Sequence, residues 1–292
     1  MNEIASERRA SVSENGKKAL KHIDKLPSLS NVVGEFLEMS KKEFVSGRDF
    51  ERVISKDQAL VSRLLKVANS SMYGMSGGIN SITDAIVMIG LEEVKKIVYS
   101  VSSEGLIRRN FKNYRYPDKG FWLHSMGVAI TCCAINEKAG STGLGDEQAF
   151  IAGLVHDAGK LIIDEFLSPE AGPHGVSLEE EVAAVGMDHS ELGEAIMKRW
   201  SIPDSIAEAV RYHHKPADSA EVPSDAMLVF IADGICNQWG VGNQPFMELG
   251  EEIDLEQFGE GLDLLQLSAP GMESILWDIR QKLAGLERLY ET

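Results

Sequence analysis

The chain carries 7 histidines, and His124, His156, His189, His213 and His214 all fall inside segments with helical apolar spacing, whereas His22 and His174 lie in polar surroundings. From Ala149 to Ile163 the sequence is apolar nearly all round on both sides of His156-Asp157, the pattern of a helix buried in the middle of a domain. An ionised carboxylate left unpaired there costs several kcal/mol, so Asp157 must meet a cation, a set of strong donors or a proton. His124 belongs to the stripe Phe121, His124, Val128; His189 begins the stripe His189, Leu192, Gly193, Ile196; His213 follows Ile206, Ala209 and Val210. These recurrences put each ring on the core-facing side of its helix. Asp233 closes the apolar run Leu228 to Ala232.

Each of these residues also has a local explanation. A core imidazole can be satisfied by one neighbour, Asp157 can pair with Lys160 one turn away, Asp233 can cap a helix, and His213-His214 suits the negative end of a helix dipole. Together, however, the local explanations require a separate coincidence on each of five helices, and a shared cation replaces them all. The candidate ligands are therefore His124, His156, Asp157, His189, His213, His214 and Asp233. Without a thiolate among them they suit Fe, Mn, Zn or Ni, and do not suit copper(I) or an iron–sulfur cluster. The set can hold one or two divalent ions, two being bridged by Asp157. Two ions ~3.5–4 Å apart acidify a bridging water and clamp a phosphoryl group for in-line attack. Asp157 and Lys160 are then the expected catalytic residues, with Lys160 neutralising a phosphate oxygen. Phosphate ester hydrolysis is the chemistry such a centre performs.

The elements that must position these residues read as helices almost throughout, and strand-like alternation is hard to find, so the expected class is all-α. Ser28 and Ser30 are candidate helix caps. The spacing predicts helices over Phe121 to Ile135, Gln148 to Phe166, Leu178 to Trp200 with a break at Gly186, Pro203 to His214, Ser224 to Asn237 and Met272 to Tyr290. Gly90 interrupts Ile82 to Ser100, and this reads as a tight core corner in preference to a DNA-binding helix-turn-helix. The stretch Arg108 to Pro117 is the one basic patch and reads as a short solvated linker between two lobes.

The chain has 292 residues, with Lys+Arg 29 against Asp+Glu 45 and a net charge of -16. That field repels phosphate backbones and argues against a nucleic-acid partner. Cys132, Cys133 and Cys236 include no CxxC pair and read as buried apolar fillers in a reducing compartment. No stretch reaches the ~18 continuous apolar residues of a membrane span, and the N-terminus lacks the apolar core of a signal peptide, so a cytoplasmic location without membrane contact is expected.

His156-Asp157, with His124 upstream and Asp233 downstream, resembles the H…HD…D signature of the HD superfamily of metal-dependent phosphohydrolases. The segments Leu26-Pro27-Ser28-Leu29, Ser55 to Leu60, Leu64 to Ser70, Tyr73-Gly74, Ile79 to Gly90, Phe150 to Lys160 and His189 to Pro203 resemble the HDOD family of bacterial signalling modules. The resemblance covers about residues 20 to 240 and implies an N-terminal helical lobe packed on an HD-like lobe. On that pattern, residues 1–17 form a flexible tail, 18–112 the N-terminal lobe, 113–240 the HD-like metal-binding lobe, and 241–292 a C-terminal helical extension. HDOD domains usually lack part of the HD ligand set and act through signalling proteins, whereas this chain keeps His124, His156, Asp157 and Asp233. His189 and His213-His214 stand at positions similar to the additional ligands of the HD-GYP cyclic-dinucleotide phosphodiesterases. Lys215-Pro216 replaces the Glu and Gly-Tyr-Pro expected there, and Gly120 stands where such enzymes often place an acidic ligand. The resemblance thus implies a signalling module with a metal site. An active phosphohydrolase on a nucleotide or cyclic dinucleotide is the alternative, and a di-iron oxygenase a more distant one.

Overall fold

Side chains that accept backbone N–H groups open many of the helices. Ser13 accepts from Gly16 and starts α1 (Glu14–Ile23). After α2 (Asn31–Ser40) and α3 (Gly47–Ile54), Asp57 accepts from Leu60 at the start of α4 (Gln58–Ala68), and Ser81 from Asp84 at the start of α5 (Ile82–Ile89). Each such cap contributes ~1 kcal/mol. α6 (Leu91–Ile107) follows directly from the corner at Gly90, with Ile82 and Ala85 of α5 turned into the core. The second half comprises α7 (Gly120–Asn136), α8 (Asp146–Val155), α9 (Lys160–Ile163), α10 (Leu178–Val185), α11 (His189–Arg199), α12 (Asp204–Tyr212) and α13 (Pro223–Gln238). α14 (Gly259–Leu264) and α15 (Ala269–Glu291) complete the chain. The structure, a computed structural model, describes residues 13–26, 31–40, 45–70, 73, 78–107, 111–114, 116–168, 175–243 and 253–291. Every regular element among the described residues is helical, as the apolar spacing requires. Ser28, Ser30, His174, Arg108, Arg109 and Arg115 lie outside the described residues.

α7 is buried along almost its whole length and is the axis around which α8, α13 and α15 pack. An apolar helix with no polar face can only be placed this way. α8 approaches it closely at Gly153, where a Cβ would stand 2.7 Å from the Cα of Ala129. On the other side α15 lays down Met272, Ile275, Ile279, Leu283 and Leu286, all buried. Their three- and four-residue spacing presents one continuous stripe to the core. The extension is therefore part of the same core as α7.

The first six helices have their own aromatic centre, in which Phe36 meets Phe50 edge-on at 4.7 Å and Tyr99 at 6.0 Å. α6 joins this group to the second half. Lys95 pairs with Glu147 at 3.1 Å, and the Tyr99 hydroxyl donates to the same carboxylate, at the start of α8. α1 reaches across as well, through Ser13 Oγ to the Val185 carbonyl at 3.1 Å and Asn15 Nδ2 to the Ala184 carbonyl at 3.2 Å. This helix begins at Glu14, within the stretch expected to be a tail.

Two boundaries differ from those the spacing predicts, for one shared reason. α8 ends at Val155, and His156 to Gly159 form a turn before α9 in place of one helix running to Phe166. α12 likewise ends at Tyr212, which leaves His213 and His214 beyond it. In both places the histidine ring folds back on its own helix, His156 Nδ1 donating to the Gly153 carbonyl at 2.8 Å and His213 Nδ1 to the Val210 carbonyl at 2.6 Å. A ring N–H thus takes up a carbonyl of the last turn, and the backbone continues with tighter bonds three residues apart, such as Ala158 N to Val155 O and Lys160 N to Asp157 O. Apolar periodicity carries no signal for this capping.

Candidate metal centre

All seven candidate ligands come together. α7 supplies His124, the turn after α8 supplies His156 and Asp157, the first residue of α11 is His189, the turn after α12 carries His213 and His214, and α13 supplies Asp233. The turn and α11 meet at Gly159, where a Cβ would lie 2.0 Å from the His189 carbonyl oxygen. No residue with a side chain fits there, and the contact sets His189 beside Asp157.

The ligand atoms form two groups that share Asp157. In the first, His124 Nε2 lies 3.0 Å from Asp233 Oδ1 and 3.8 Å from Asp157 Oδ2, while His156 Nε2 lies 3.4 Å from Asp157 Oδ2 and 3.6 Å from Asp233 Oδ1. In the second, His189 Nε2 lies 3.1 Å from Asp157 Oδ1, 3.4 Å from His213 Nε2 and 2.9 Å from His214 Nε2. Within each of the sets Asp157, His189, His213, His214 and His124, His156, Asp157, one ligand atom per residue lies within 4.8 Å of the others. Lys160 Nζ completes the cluster at 2.5 Å from Asp157 Oδ2. The local pairing and the convergence are therefore both present.

Hydrogen bonds on the far side of the rings fix which nitrogen faces inward. Nδ1 of His124, His156 and His213 meets the carbonyls of Val241, Gly153 and Val210, and Nδ1 of His189 meets Glu181. A carbonyl only accepts, so Nδ1 carries the proton in the first three rings and Nε2 is the atom offered to the centre. Two of the buried atoms so aimed, His156 Nε2 and Asp157 Oδ1, have no hydrogen-bond partner among the described residues. Ring nitrogens 2.9 and 3.4 Å apart, facing a carboxylate oxygen at 3.1 Å, are bridged by shared protons when no ion is bound, and the same donor set suits a divalent transition metal.

The electrostatics divide the rings. Burial pulls His156 toward the neutral form, but Asp157 and Asp233 outweigh it and raise the ring to about 10. His189 is raised as well: burial and Lys160 oppose its charge, and Asp157 and Glu181 prevail. His213 is driven well below the usual imidazole range by burial and by the neighbouring rings, and His214 falls to about 4 through burial and His189. Burial works against the ionised carboxylates, yet His156, Lys160 and His189 hold Asp157 well below its ordinary value, and His124 and His156 do the same for Asp233. Lys160 stays firmly charged because Asp157 overcomes its burial. Without an ion, the two acids are thus balanced by protonated rings and one lysine.

Residues beyond the candidate ligands support the site. Glu181, 1% exposed, accepts from the backbone N–H of His189 at 2.7 Å, from His189 Nδ1 and from the Tyr114 hydroxyl. It follows Glu179 and Glu180, and nothing in that acidic first turn distinguishes the buried member from its neighbours. Tyr114 and Tyr116 belong to the stretch expected as a solvated linker. Its described residues are instead tied down: Asp164 accepts from the backbone N–H groups of Lys112, Asn113 and Tyr114 at 2.9, 2.8 and 3.3 Å, and Phe111 packs on Phe121 at 4.4 Å. Asn237, which donates to Asp233 at 2.9 Å, stands one turn further along α13, and that four-residue spacing is a signal the sequence does carry.

Comparison with known proteins follows the same lines. The profile of the HDOD domain matches residues 26–216. An uncharacterised protein of Treponema pallidum is 27% identical in an alignment of 203 residues that covers 66% of this chain and 38% of that protein. Ribonuclease Y of Thermus thermophilus is 30% identical over 137 residues, 47% of this chain and 19% of its own length. The matches thus take in well under half the length of these curated relatives. Among solved structures, an HDOD domain protein of unknown function from Geobacter sulfurreducens superposes with a TM-score of 0.76 at 22% identity, over 94% of this chain and 97% of that one. At this identity the likeness is one of fold.

Proposed function

The chain belongs to the HDOD domain family, and on that premise we propose that it is a signalling module whose HD-like lobe, residues 113–240, holds one or two divalent transition-metal ions and whose output runs through contacts with other proteins. The observation that carries this reading is the inward convergence of Nε2 atoms from His124, His156, His189 and His213, each fixed from behind through Nδ1, around Asp157. His124, His156, Asp157 and Asp233 would hold one ion, and Asp157, His189, His213 and His214 the other. Ions there would tie together α7, α11, α13 and the turns after α8 and α12, so that metal binding adds directly to the stability of the lobe. The ligands are deeply buried, with His124, His156, Asp157, His189 and His213 at most 2% exposed. A buried ligand set suits a structural role, whereas a catalytic centre keeps a coordination position open to substrate.

A second reading, metal-dependent hydrolysis of a phosphate ester on a nucleotide or cyclic dinucleotide, rests on Lys160. Its ammonium group touches Asp157 and its side chain remains 16% exposed, so it is the cation beside the centre best able to meet an incoming phosphate oxygen. Bound metal would supply an acidified water and a charge clamp on the ester; Lys160 would orient the phosphate. Hydrolysis of bis(p-nitrophenyl) phosphate with Mn or Fe added, abolished in Asp157→Ala, would establish the enzyme. No turnover, together with a protein partner captured equally by wild type and Asp157→Ala, would establish the signalling module. Purified protein that takes up no divalent metal would defeat both readings of the centre.

A further inference from the structure

Glu181 is a buried acid whose hydrogen-bond donors among the described residues are His189 and Tyr114. Both of its oxygens face His189 Nδ1, at 2.8 and 2.9 Å. Oε2 also takes the His189 backbone N–H at 2.7 Å, and Oε1 takes the Tyr114 hydroxyl at 2.8 Å. Nothing in the local helix requires this arrangement, since α10 is capped by Ser177 and Glu180 without Glu181. Every donor it receives belongs to His189 or to the one residue that holds the carboxyl group in place. Tyr114 in turn is fixed by Asp164, which accepts its backbone N–H, and Lys160 lies over its ring at 5.6 Å. On the opposite side of the imidazole, Nε2 points at Asp157, His213 and His214.

We propose that Glu181 is the positioning residue of the second metal position: it holds His189 through Nδ1 so that Nε2 is offered to the ion, and Tyr114 holds Glu181. This rests on the metal reading given above and adds an asymmetry to it. The position formed by His124, His156, Asp157 and Asp233 has its rings fixed by backbone carbonyls, which no side-chain substitution removes. In the position formed by Asp157, His189, His213 and His214, the Val210 carbonyl holds His213, but His189 depends on a carboxyl group and a phenol. An acid behind a ligating imidazole raises the ring's basicity and fixes its orientation, and loss of such a partner typically costs ten- to a hundredfold in metal affinity.

The test is titration of the full chain with Co2+, which reports stoichiometry by calorimetry and ligand geometry by its visible d–d spectrum. Wild type is expected to bind two ions. Glu181→Gln keeps the volume but offers one acceptor oxygen where three donors converge. It is expected to bind the first ion as wild type does and the second ~10–100-fold more weakly, with the spectral component of the second ion altered. Tyr114→Phe, which leaves Glu181 intact, should weaken the same ion and not the other, and it carries the test should Glu181→Gln fail to fold. His189→Ala identifies which ion is the second by removing it. If wild type holds two ions and both variants bind them with unchanged affinities and spectra, Glu181 has no positioning role and the metal centre stands without it. If wild type holds none, the metal reading itself falls.

Discussion

His124 Nε2 on α7 stands 3.0 Å from Asp233 Oδ1 on α13, and the two meet on the opposite side of Asp157 from His189. Asp157 is therefore the one candidate ligand common to both groups. His124→Ala is expected to leave the ion held through His189, and His213→Ala to leave the ion held through His124. Asp157→Ala should retain neither, as measured by elemental metal analysis after desalting. Two ions retained by Asp157→Ala would rule out the shared carboxylate.

Removal of metal should loosen the second lobe, because ligands from five separate places in the chain lose their common partner. With free metal a hundredfold above its dissociation constant, one bound ion contributes about 2.7 kcal/mol. For a protein of this size that is a fall of roughly 5–10 °C in melting temperature on chelation. Calorimetry with and without EDTA measures it, and identical melting curves would count against any stoichiometric ion.

Gly153→Ala would insert a methyl group 2.7 Å from the Ala129 Cα, against backbone that cannot swing aside. Overpacking of this kind costs ~1–3 kcal/mol. The same shift moves His156 away from His124, whose ring centroids lie 5.3 Å apart. Urea denaturation is expected to give a lower midpoint, together with weaker binding of the ion held through His124. A variant as stable as wild type would mean that α7 and α8 can separate freely.

Asp164→Ala removes the acceptor for three backbone N–H groups, those of Lys112, Asn113 and Tyr114, two of which belong to buried residues. Leaving buried donors unsatisfied costs ~1–3 kcal/mol each. The amides of residues 112–114 should become the fastest-exchanging of the site's surroundings in hydrogen exchange. Protection equal to wild type would show that Asp164 is dispensable.

Asp225 lies outside the centre, 2% exposed, and accepts from the Gly143 N–H at 2.7 Å. Burial raises its carboxyl group despite the N–H groups of Gly143 and Leu144 that favour ionisation. A carboxyl raised on folding contributes stability that is complete below its unfolded value, near ~3.9, and lost as pH rises through the folded value. Asp225→Asn should abolish that loss, so its stability relative to wild type should improve between about pH 4 and neutrality. A difference that stays constant across a pH series of urea melts would contradict the sign.

The helical class and the burial of the candidate ligands were both legible, because apolar spacing reports which face of a helix is buried and a charged or imidazole side chain on that face stands out. Helix ends at the site were not. His156 and His213 each turn a ring N–H onto a carbonyl three residues back, a choice that depends on what lies beyond the helix. The aromatic and polar stretch before α7 looked solvated because its partner, Asp164, lies far along the chain.

The sequence by itself determined that imidazoles and acids would sit on core faces, and that they would need partners there, since periodicity and the cost of buried charge are properties of single segments. Only the tertiary structure decided that they share one centre, split into two groups about Asp157, and that Glu181 rather than Glu179 or Glu180 stands behind His189. Those facts depend on how closely separate helices approach, at Gly153 against Ala129 and at Gly159 against His189, and such distances are set by packing between elements, on which spacing within one element carries no information.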